Sequence, residues 1–207
     1  MSASPFKLRR GDRLVIATHN PGKVREMQDL LAPYGIDLVS AGDLGLPVPA
    51  ETETTFIGNA TIKAVAAAKG SGLMALSDDS GIEVAALDGA PGVVSADWAG
   101  LAKDFSIAMK KVEDLLEKRG ALTPELRRAN FTSVLCLALP DGRSLAFEGK
   151  VFGQVIWPPR GNRGFGYDPM FVPDGHAITF GEMEPAMKHT ISHRARAFEL
   201  FARACLE

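Results

Sequence analysis

The sequence predicts an α/β fold with a mixed β-sheet flanked by helices. In the first half, strand patterns alternate with helix patterns, beginning with a strand at 13–17, a glycine-containing loop and a helix. From residue 130 onward, consecutive strand patterns are joined by a Pro-Asp-Gly turn, which indicates an antiparallel portion of the sheet. The 207 residues suit one large domain or two small lobes that share a core. We expect a single domain over 1–207, with 1–12 as a flexible N-terminal extension.

The individual elements follow from the spacing of apolar residues and from the residues that begin and end each segment. Thr54 or Thr55 caps the alanine-rich second helix, which ends near Gly70 and Gly72. The predicted order is a strand at 13–17, a helix from 24, a strand at 38–40, a helix from 56, strands at 73–76 and 82–86, a helix at 104–119, strands at 131–139, 145–148, 151–156 and 170–172, and a helix from 192.

Composition and charge exclude several classes of protein. The apolar fraction of 46% and the charged fraction of 23% are typical of a globular protein, not of a disordered chain or a coiled coil. Lys plus Arg is 23 and Asp plus Glu is 25, so the net charge of −2 lacks the basic excess of a duplex nucleic-acid binder. The apolar run at 134–139 is too short to span a membrane, and Cys136 and Cys205 form no CxxC motif. We therefore expect a cytoplasmic protein with no nucleic-acid or membrane partner and with buried thiols.

A polar, glycine-containing loop joins the first strand to the helix that follows it. Backbone N–H groups at such a helix N-terminus bind anions, and a lysine at the end of the loop adds a positive charge. The spacing is not that of a P-loop, and an ordinary strand-to-helix turn is the alternative. The loop consists of Thr18, His19, Asn20, Pro21, Gly22 and Lys23.

Two adjacent carboxylates, Asp78 and Asp79, follow the strand predicted at 73–76. They repel each other unless a cation or a shared proton is present, and in an extended chain they point to opposite faces. Magnesium bound by one or two carboxylates plus substrate phosphates fits this position, with a solvated turn as the alternative. Glu51 precedes a helix, where an acidic residue stabilises the helix dipole. It becomes a candidate metal ligand only if its segment folds back beside Asp79.

Two further segments near the C-terminus carry candidate binding groups. The loop 165–168 contains two aromatic rings and an acid, which can stack on a flat ring and hydrogen-bond to its edge. The alternative is a hydrophobic loop that packs on the core. Lys188, His189, His193 and Arg194 surround the predicted start of the last helix, where positive charge opposes the helix dipole. We interpret them as partners for phosphates or keto oxygens, with a solvated surface as the alternative.

Six segments of the chain occur together in one order. They are Ala17-Thr18-His19-Asn20-Pro21-Gly22-Lys23, Thr55-Phe56 with Asn59-Ala60 and Lys63-Ala64, Asp78-Asp79-Ser80-Gly81, Gly89-Ala90-Pro91-Gly92, Phe165-Gly166-Tyr167-Asp168-Pro169 and Ser192-His193-Arg194. This set resembles the inosine/xanthosine triphosphate pyrophosphatase family, the Ham1-like enzymes that remove deaminated purine nucleotides. The resemblance runs from about residue 13 to the C-terminal helix, and the joint occurrence of the motifs is specific to that family.

The resemblance implies an elongated mixed sheet flanked by helices in two lobes with a central cleft, a homodimer and a magnesium requirement. The implied reaction is hydrolysis between the α- and β-phosphates of ITP, dITP or XTP, which gives the nucleoside monophosphate and pyrophosphate.

Carried over onto this chain, the resemblance assigns Asp79 as the general base and a magnesium ligand, and Glu51 as a second carboxylate at the metal. Ser80 contacts the substrate. The implied phosphate and sugar loop is Thr18, His19, Asn20, Pro21, Gly22 and Lys23, and the implied base-binding residues are Phe165, Gly166, Tyr167, Asp168, Lys188, His193 and Arg194.

The sequence departs from the family pattern at Gly58, where a glutamate is frequent, and this removes one possible acidic partner of the metal. Two alternatives to the implied activity stay open. One is a septum-inhibitor-type nucleotide pyrophosphatase that acts on other modified nucleotides, and the other is a nucleotide sensor without catalysis.

Overall fold

The computed structural model describes residues 6–206 and has the α/β architecture that the sequence predicts. Its strands are β1 (Arg13–Ile16), β2 (Asp37–Ser40), β3 (Met74–Val84), β4 (Arg128–Ala138), β5 (Ser144–Val155) and β6 (Phe171–Pro173). Its α-helices are α1 (Pro21–Leu31), α2 (Phe56–Ser71), α3 (Phe105–Lys118), α4 (Pro185–Ile191) and α5 (His193–Cys205).

The six strands form one sheet in the order β2-β1-β3-β4-β5-β6. β1 pairs in parallel with both β2 and β3, whereas β5 and β6 pair antiparallel. The sheet is therefore mixed, with an antiparallel pair in the second half of the chain, and this part of the prediction is confirmed.

Contacts divide the chain into two compact units. The first unit takes in the chain up to Asp79, Ser133–Gly149 and the chain from Arg194, and the second takes in Ser80–Thr132 and Lys150–His193. In the first unit α1 and α5 pack on the sheet through a buried cluster that includes Leu14, Leu31 and Phe201. The core of the second unit is built around α3 and the aromatic side chains of Phe131, Phe171 and Phe180. Each unit thus has its own hydrophobic core.

Part of the predicted N-terminal extension packs on the last helix. Phe6 and Leu8 are buried in the core of the first unit, and the Leu8 N–H donates to the Cys205 carbonyl at 2.7 Å. Residues 1–5 of the predicted flexible extension lie outside the described residues.

Local side chains cap both α1 and α2, and the predicted cap and end of α2 are confirmed. Asn20 caps α1, because its Oδ1 accepts from the N–H groups of Gly22 and Lys23. The Thr55 hydroxyl caps α2, and Gly72 ends it with a φ of +71°, a left-handed conformation that favours glycine.

The elements differ from the sequence prediction at β3 and α4, and an open alternative is settled at β5. β3 runs without interruption from Met74 to Val84, so the carboxylates of Asp78 and Asp79 lie within a strand and not in a turn beyond one. The segment 151–156, expected either to continue the strand at 145–148 or to pair again, continues it as the single strand β5. The sequence analysis also missed α4, a short helix that Pro185 begins.

Both cysteines are buried free thiols, as predicted. Between residues 6 and 206, no helix combines the length and the apolar character that crossing a membrane requires.

Candidate active site

β3 presents successive side chains to different helices, because alternate residues of a strand point to opposite faces. The Ser77 hydroxyl donates to the Ala60 carbonyl of α2 at 2.6 Å, and Asp79 bonds to Lys63 on the same helix. Asp78 instead meets Lys23 of α1 and Arg194 of α5. The adjacent carboxylates therefore have separate partners, as the strand geometry predicts.

Asp78 is a buried carboxylate with four hydrogen-bond contacts to its two oxygens. Its Oδ2 accepts from Arg194 Nε at 2.7 Å and from the Ser133 hydroxyl at 3.0 Å. Its Oδ1 lies 2.8 Å from Lys23 Nζ and 3.3 Å from Arg194 Nη2. Burial alone would raise the pKa of Asp78, but the charges of Arg194 and Lys23 outweigh it and hold the pKa well below its ordinary value. Asp78 is thus a carboxylate with a lowered pKa, and both of its oxygens are bonded.

Asp79 has a different environment, with one bonded and one unbonded oxygen. Its Oδ1 lies 2.6 Å from Lys63 Nζ, which is also 3.1 Å from Glu51 Oε1. Its Oδ2 is buried and has no hydrogen-bond partner among the described residues. Burial raises the pKa of Asp79 above its ordinary value, although the charges of Lys63 and Lys23 act against it. For Lys63 the balance is opposite: burial would lower its pKa, but Asp79 and Glu51 outweigh burial and raise it.

The acidic segment before α2 does fold back beside Asp79. Asn59, which is buried on α2, accepts a hydrogen bond from the Glu53 N–H at 3.0 Å, and this bond holds the segment against the helix. Glu51 is thereby placed on the same lysine as Asp79. This placement meets the condition under which the sequence predicts a role for Glu51 at a metal.

The polar loop after β1 lies at the N-terminus of α1. The Thr18 hydroxyl accepts from the Asn20 N–H at 3.2 Å, so side chains of the loop order its own backbone. His19, Asn20 and Pro21 are exposed, whereas Gly22 and Lys23 are half-buried. A pocket of about 450 Å³ lies beside the loop, and its lining includes Thr18, His19 and Pro21 together with residues after β2.

In the second unit, the loop 165–168 is held by a buried ion pair. Lys188 Nζ lies 2.7 Å from Asp168 Oδ2, which also accepts from the Phe165 N–H at 2.8 Å. The Lys188 ammonium is 5.1 Å from the centre of the Phe165 ring. Gly164 has a φ of +72°, and a Cβ there would lie 2.0 Å from Asp168 Oδ2, so the close approach requires glycine.

Tyr167 and Arg194, both predicted to bind substrate, have their polar groups engaged within the protein. Tyr167 is buried in the core of the second unit, and its hydroxyl donates to the Ser95 carbonyl at 2.9 Å. Arg194 is almost fully buried and bonds to Asp78 and to Glu26. The side chains of these residues therefore hold local structure in place. The buried His193 ring stacks on Phe131 in the second unit, with ring centroids 4.9 Å apart.

Ser80 and Gly166 are the remaining residues that the sequence analysis predicts to contact the substrate. Ser80 is half-buried on β3, and Gly166 has a φ of +69° in the loop after β5.

Three residues of this site were not identified as functional from the sequence. Lys63 belongs to one of the quoted motifs, and its position four residues after Asn59 on α2 was the available signal, since residues so spaced share a helix face. Glu26 and Ser133 reach Arg194 and Asp78 only through the tertiary fold, and no local pattern marks them.

Comparison with known proteins gives consistent matches over nearly the whole chain. The model of the Ham1 family matches residues 14–204. A dITP/XTP pyrophosphatase of Bradyrhizobium diazoefficiens is 58% identical over 202 residues, covering 94% of this chain and 96% of the relative. A protein of the same name from Caulobacter vibrioides is 60% identical over 188 residues, covering 91% and 95%.

Solved structures match the fold as well. A HAM1 protein from Coxiella burnetii superposes with a TM-score of 0.85 at 38% identity, covering 93% of this chain and 97% of that one. A nucleoside-triphosphatase / dITP/XTP pyrophosphatase from Mycobacterium abscessus gives a TM-score of 0.74 at 37% identity, covering 91% and 97%.

Proposed function

The chain belongs to the Ham1 family, and on that premise we propose that it is a nucleoside triphosphate pyrophosphatase that hydrolyses dITP, ITP and XTP to the monophosphate and pyrophosphate. The observation that carries the proposal is the carboxylate of Asp79. One of its oxygens is bonded to Lys63, and the other is buried without a hydrogen-bond partner among the described residues. A buried unpaired carboxylate oxygen is costly unless a ligand uses it, so this atom marks the reacting centre.

The residues around Asp79 fit a divalent cation, and we assign that role to magnesium. Asp79 and Glu51 supply hard oxygen donors, and both contact the Lys63 ammonium. One or two carboxylates completed by substrate phosphates and water are the usual protein ligands of magnesium. Within residues 6–206 no group of three or more acidic, histidine or cysteine side chains is arranged to hold a metal. When bound, the cation neutralises the charge that develops on the phosphates.

Two cations and a helix N-terminus in the first unit serve the triphosphate. Lys23 stands on the first turn of α1 with 13% of its side chain exposed, and the exposed fraction of Lys63 is 11%. Cleavage of a phosphoanhydride depends mainly on positioning and on neutralising charge. The two lysines and the positive end of the α1 dipole provide both.

Asp79 has the properties of the general base. It accepts a proton from the attacking water, the water oxygen bonds to phosphorus, and the bridging oxygen leaves with pyrophosphate. Burial raises the pKa of Asp79, which makes it a stronger base than an exposed carboxylate. Asp78 is unsuited to this role, because both of its oxygens are bonded and its pKa is held low.

The loop 165–168 and Lys188 carry groups that match a 6-keto purine. Hypoxanthine and xanthine present a keto acceptor beside an N1–H donor, whereas adenine presents the reverse pattern. Lys188 donates hydrogen bonds, Asp168 accepts them, and the Phe165 ring offers a stacking surface. A site built for a particular donor–acceptor pattern rejects its reverse by roughly 10⁴-fold. We include a homodimer and a cytoplasmic location in the proposal by analogy with the family alone.

The proposal is tested by assaying the purified protein with magnesium on XTP, dITP, ITP, ATP, dGTP and a modified pyrimidine triphosphate, with pyrophosphate and orthophosphate measured separately. We expect pyrophosphate from the three deaminated purines, at a kcat/KM far above that for ATP. Orthophosphate as the only product would refute α–β cleavage. A preference for the pyrimidine substrate would support the septum-inhibitor-type alternative, and tight binding without turnover would support a sensor.

A further inference from the structure

Four charged side chains of the first unit form a chain of three ion pairs with alternating sign, called the ring below because both of its end members, Lys23 and Glu26, stand on α1. Lys23 bonds to Asp78, Asp78 bonds to Arg194, and Arg194 bonds to Glu26. Lys23 and Glu26 stand three residues apart on α1, so both face the same side of that helix. The ring therefore ties the first turn of α1 to β3 through Asp78 and to α5 through Arg194.

The inner members of the ring are nearly inaccessible to solvent. The exposed fraction of the side chain is 1% for Asp78 and 2% for Arg194, against 13% for Lys23 and 16% for Glu26. Buried charges are tolerated only when partners of opposite sign compensate them. Two cations and two anions make the ring neutral, and removing either anion leaves a net positive charge on buried groups.

The geometry couples Glu26 to Lys23 through shared partners. The Arg194 guanidinium uses its Nη1 for Glu26 and its Nε and Nη2 for Asp78, so its planar shape fixes both carboxylates at once. The Lys23 ammonium is held in turn by Asp78, through Oδ1 at 2.8 Å and the backbone carbonyl at 3.4 Å. A shift of Arg194 therefore moves the group that holds Lys23.

We propose that Glu26 is a positioning residue: by holding Arg194 it fixes Asp78, and through Asp78 the Lys23 ammonium that binds the substrate phosphates. This inference rests on the proposed function for the role of Lys23. It assigns Arg194 to the positioning of the phosphate-binding Lys23. It also identifies Glu26, which no sequence motif marks, as a residue that acts on substrate binding through Arg194. The competing explanation is that the ring only stabilises the fold.

The test is a double-mutant cycle between Glu26→Gln and Lys23→Met. Glu26→Gln keeps the size and an acceptor oxygen but removes the charge. We expect kcat/KM for XTP to fall about tenfold to a hundredfold, since a displacement on the order of 1 Å costs that much. In the Lys23→Met background the same change should alter kcat/KM by less than about twofold, because the group that it positions is gone.

A binding measurement provides a readout that does not depend on turnover. Calorimetry with inorganic tripolyphosphate in the absence of metal should show a Kd about tenfold weaker for Glu26→Gln than for the wild type, and an unchanged Kd when Lys23 is already methionine. If the wild-type protein hydrolyses none of the triphosphates, the proposed function is wrong. The tripolyphosphate titration still decides the role of Glu26 in that case, because it does not depend on hydrolysis.

The matched control is Glu199→Gln, which removes the carboxylate of an exposed ion pair with Arg203 on α5, the helix that carries Arg194. It should leave both kcat/KM and tripolyphosphate affinity at the wild-type value. The melting temperature of every variant is measured to show that the variant is folded at the assay temperature. If Glu26→Gln does not fold, Glu26→Asp takes its place. Equal losses in both Lys23 backgrounds, or no loss in either, would overturn the inference.

Discussion

Replacing Asp79 by asparagine separates the chemistry of the candidate site from its structure. The side chain keeps its shape, and the asparagine Oδ1 still accepts from Lys63, which lies 2.6 Å from the native oxygen. The new NH₂ group occupies the position of Oδ2, which has no hydrogen-bond partner among the described residues. The variant therefore loses a base and a negative metal ligand without losing a structural bond.

The expected magnitudes differ for activity and stability. A general base contributes about 10²–10⁴-fold to rate, equivalent to roughly 2.7–5.4 kcal/mol of barrier at 1.36 kcal/mol per tenfold. The raised pKa of Asp79 shows that burial outweighs the attraction of its cations. Removing its charge should therefore change the free energy of unfolding by no more than about 1 kcal/mol, the size typical of a point substitution. For a chain of this size the melting temperature should shift by no more than about 5 °C.

The assay is pyrophosphate release from XTP in magnesium, together with thermal unfolding of the same samples. Asp141→Asn is the matched control, because it makes the same chemical change at an exposed turn where Asp141 pairs with Arg143. It should leave turnover unchanged. Near-normal turnover of Asp79→Asn would show that another group acts as base and would refute the assignment.

Two further predictions follow from buried contacts outside the reacting carboxylate. Asp78→Asn should destabilise the protein at neutral pH by about 3–5 kcal/mol. Because the pKa of Asp78 is lowered in the fold, its stabilisation is present above the unfolded-state value of 3.8 and is lost as the pH falls through the folded-state pKa. Urea unfolding should therefore show that the stability advantage of the wild type shrinks only in acid below 3.8, and an advantage that grows there would contradict the ionised ring. Tyr167→Phe should lower the free energy of unfolding by about 1–3 kcal/mol, because the Ser95 carbonyl loses its donor at 2.9 Å. The kcat/KM for XTP should stay within about twofold of the wild-type value. A large loss of activity at unchanged stability would instead indicate that the Tyr167 hydroxyl contacts the substrate.

Most helices and strands were predictable because their causes are local. Thr55, one of the two caps that the sequence predicts, begins α2, and the turn at 140–143 joins β4 to β5 as its Pro-Asp-Gly pattern indicates. β3 was the main exception. Its polar stretch at 77–81 has the composition of a turn, but it remains a strand because buried cations and hydroxyls satisfy its side chains. That compensation comes from residues distant in sequence.

The same division applies to the site. The sequence by itself determined the first strand, the polar loop and helix that follow it, and the alternation that separates Asp78 from Asp79, since these depend on neighbouring residues and on the period of a strand. Only the tertiary structure decided that Asp79 has an oxygen without a hydrogen-bond partner among the described residues, whereas both oxygens of Asp78 are bonded. Arg194 lies 116 positions from Asp78, and Lys63 brings together Glu51 and Asp79 from separate segments. Charge pairing acts through space and depends on burial, so the roles of two adjacent aspartates are set by the helices that the fold packs against each face of the strand.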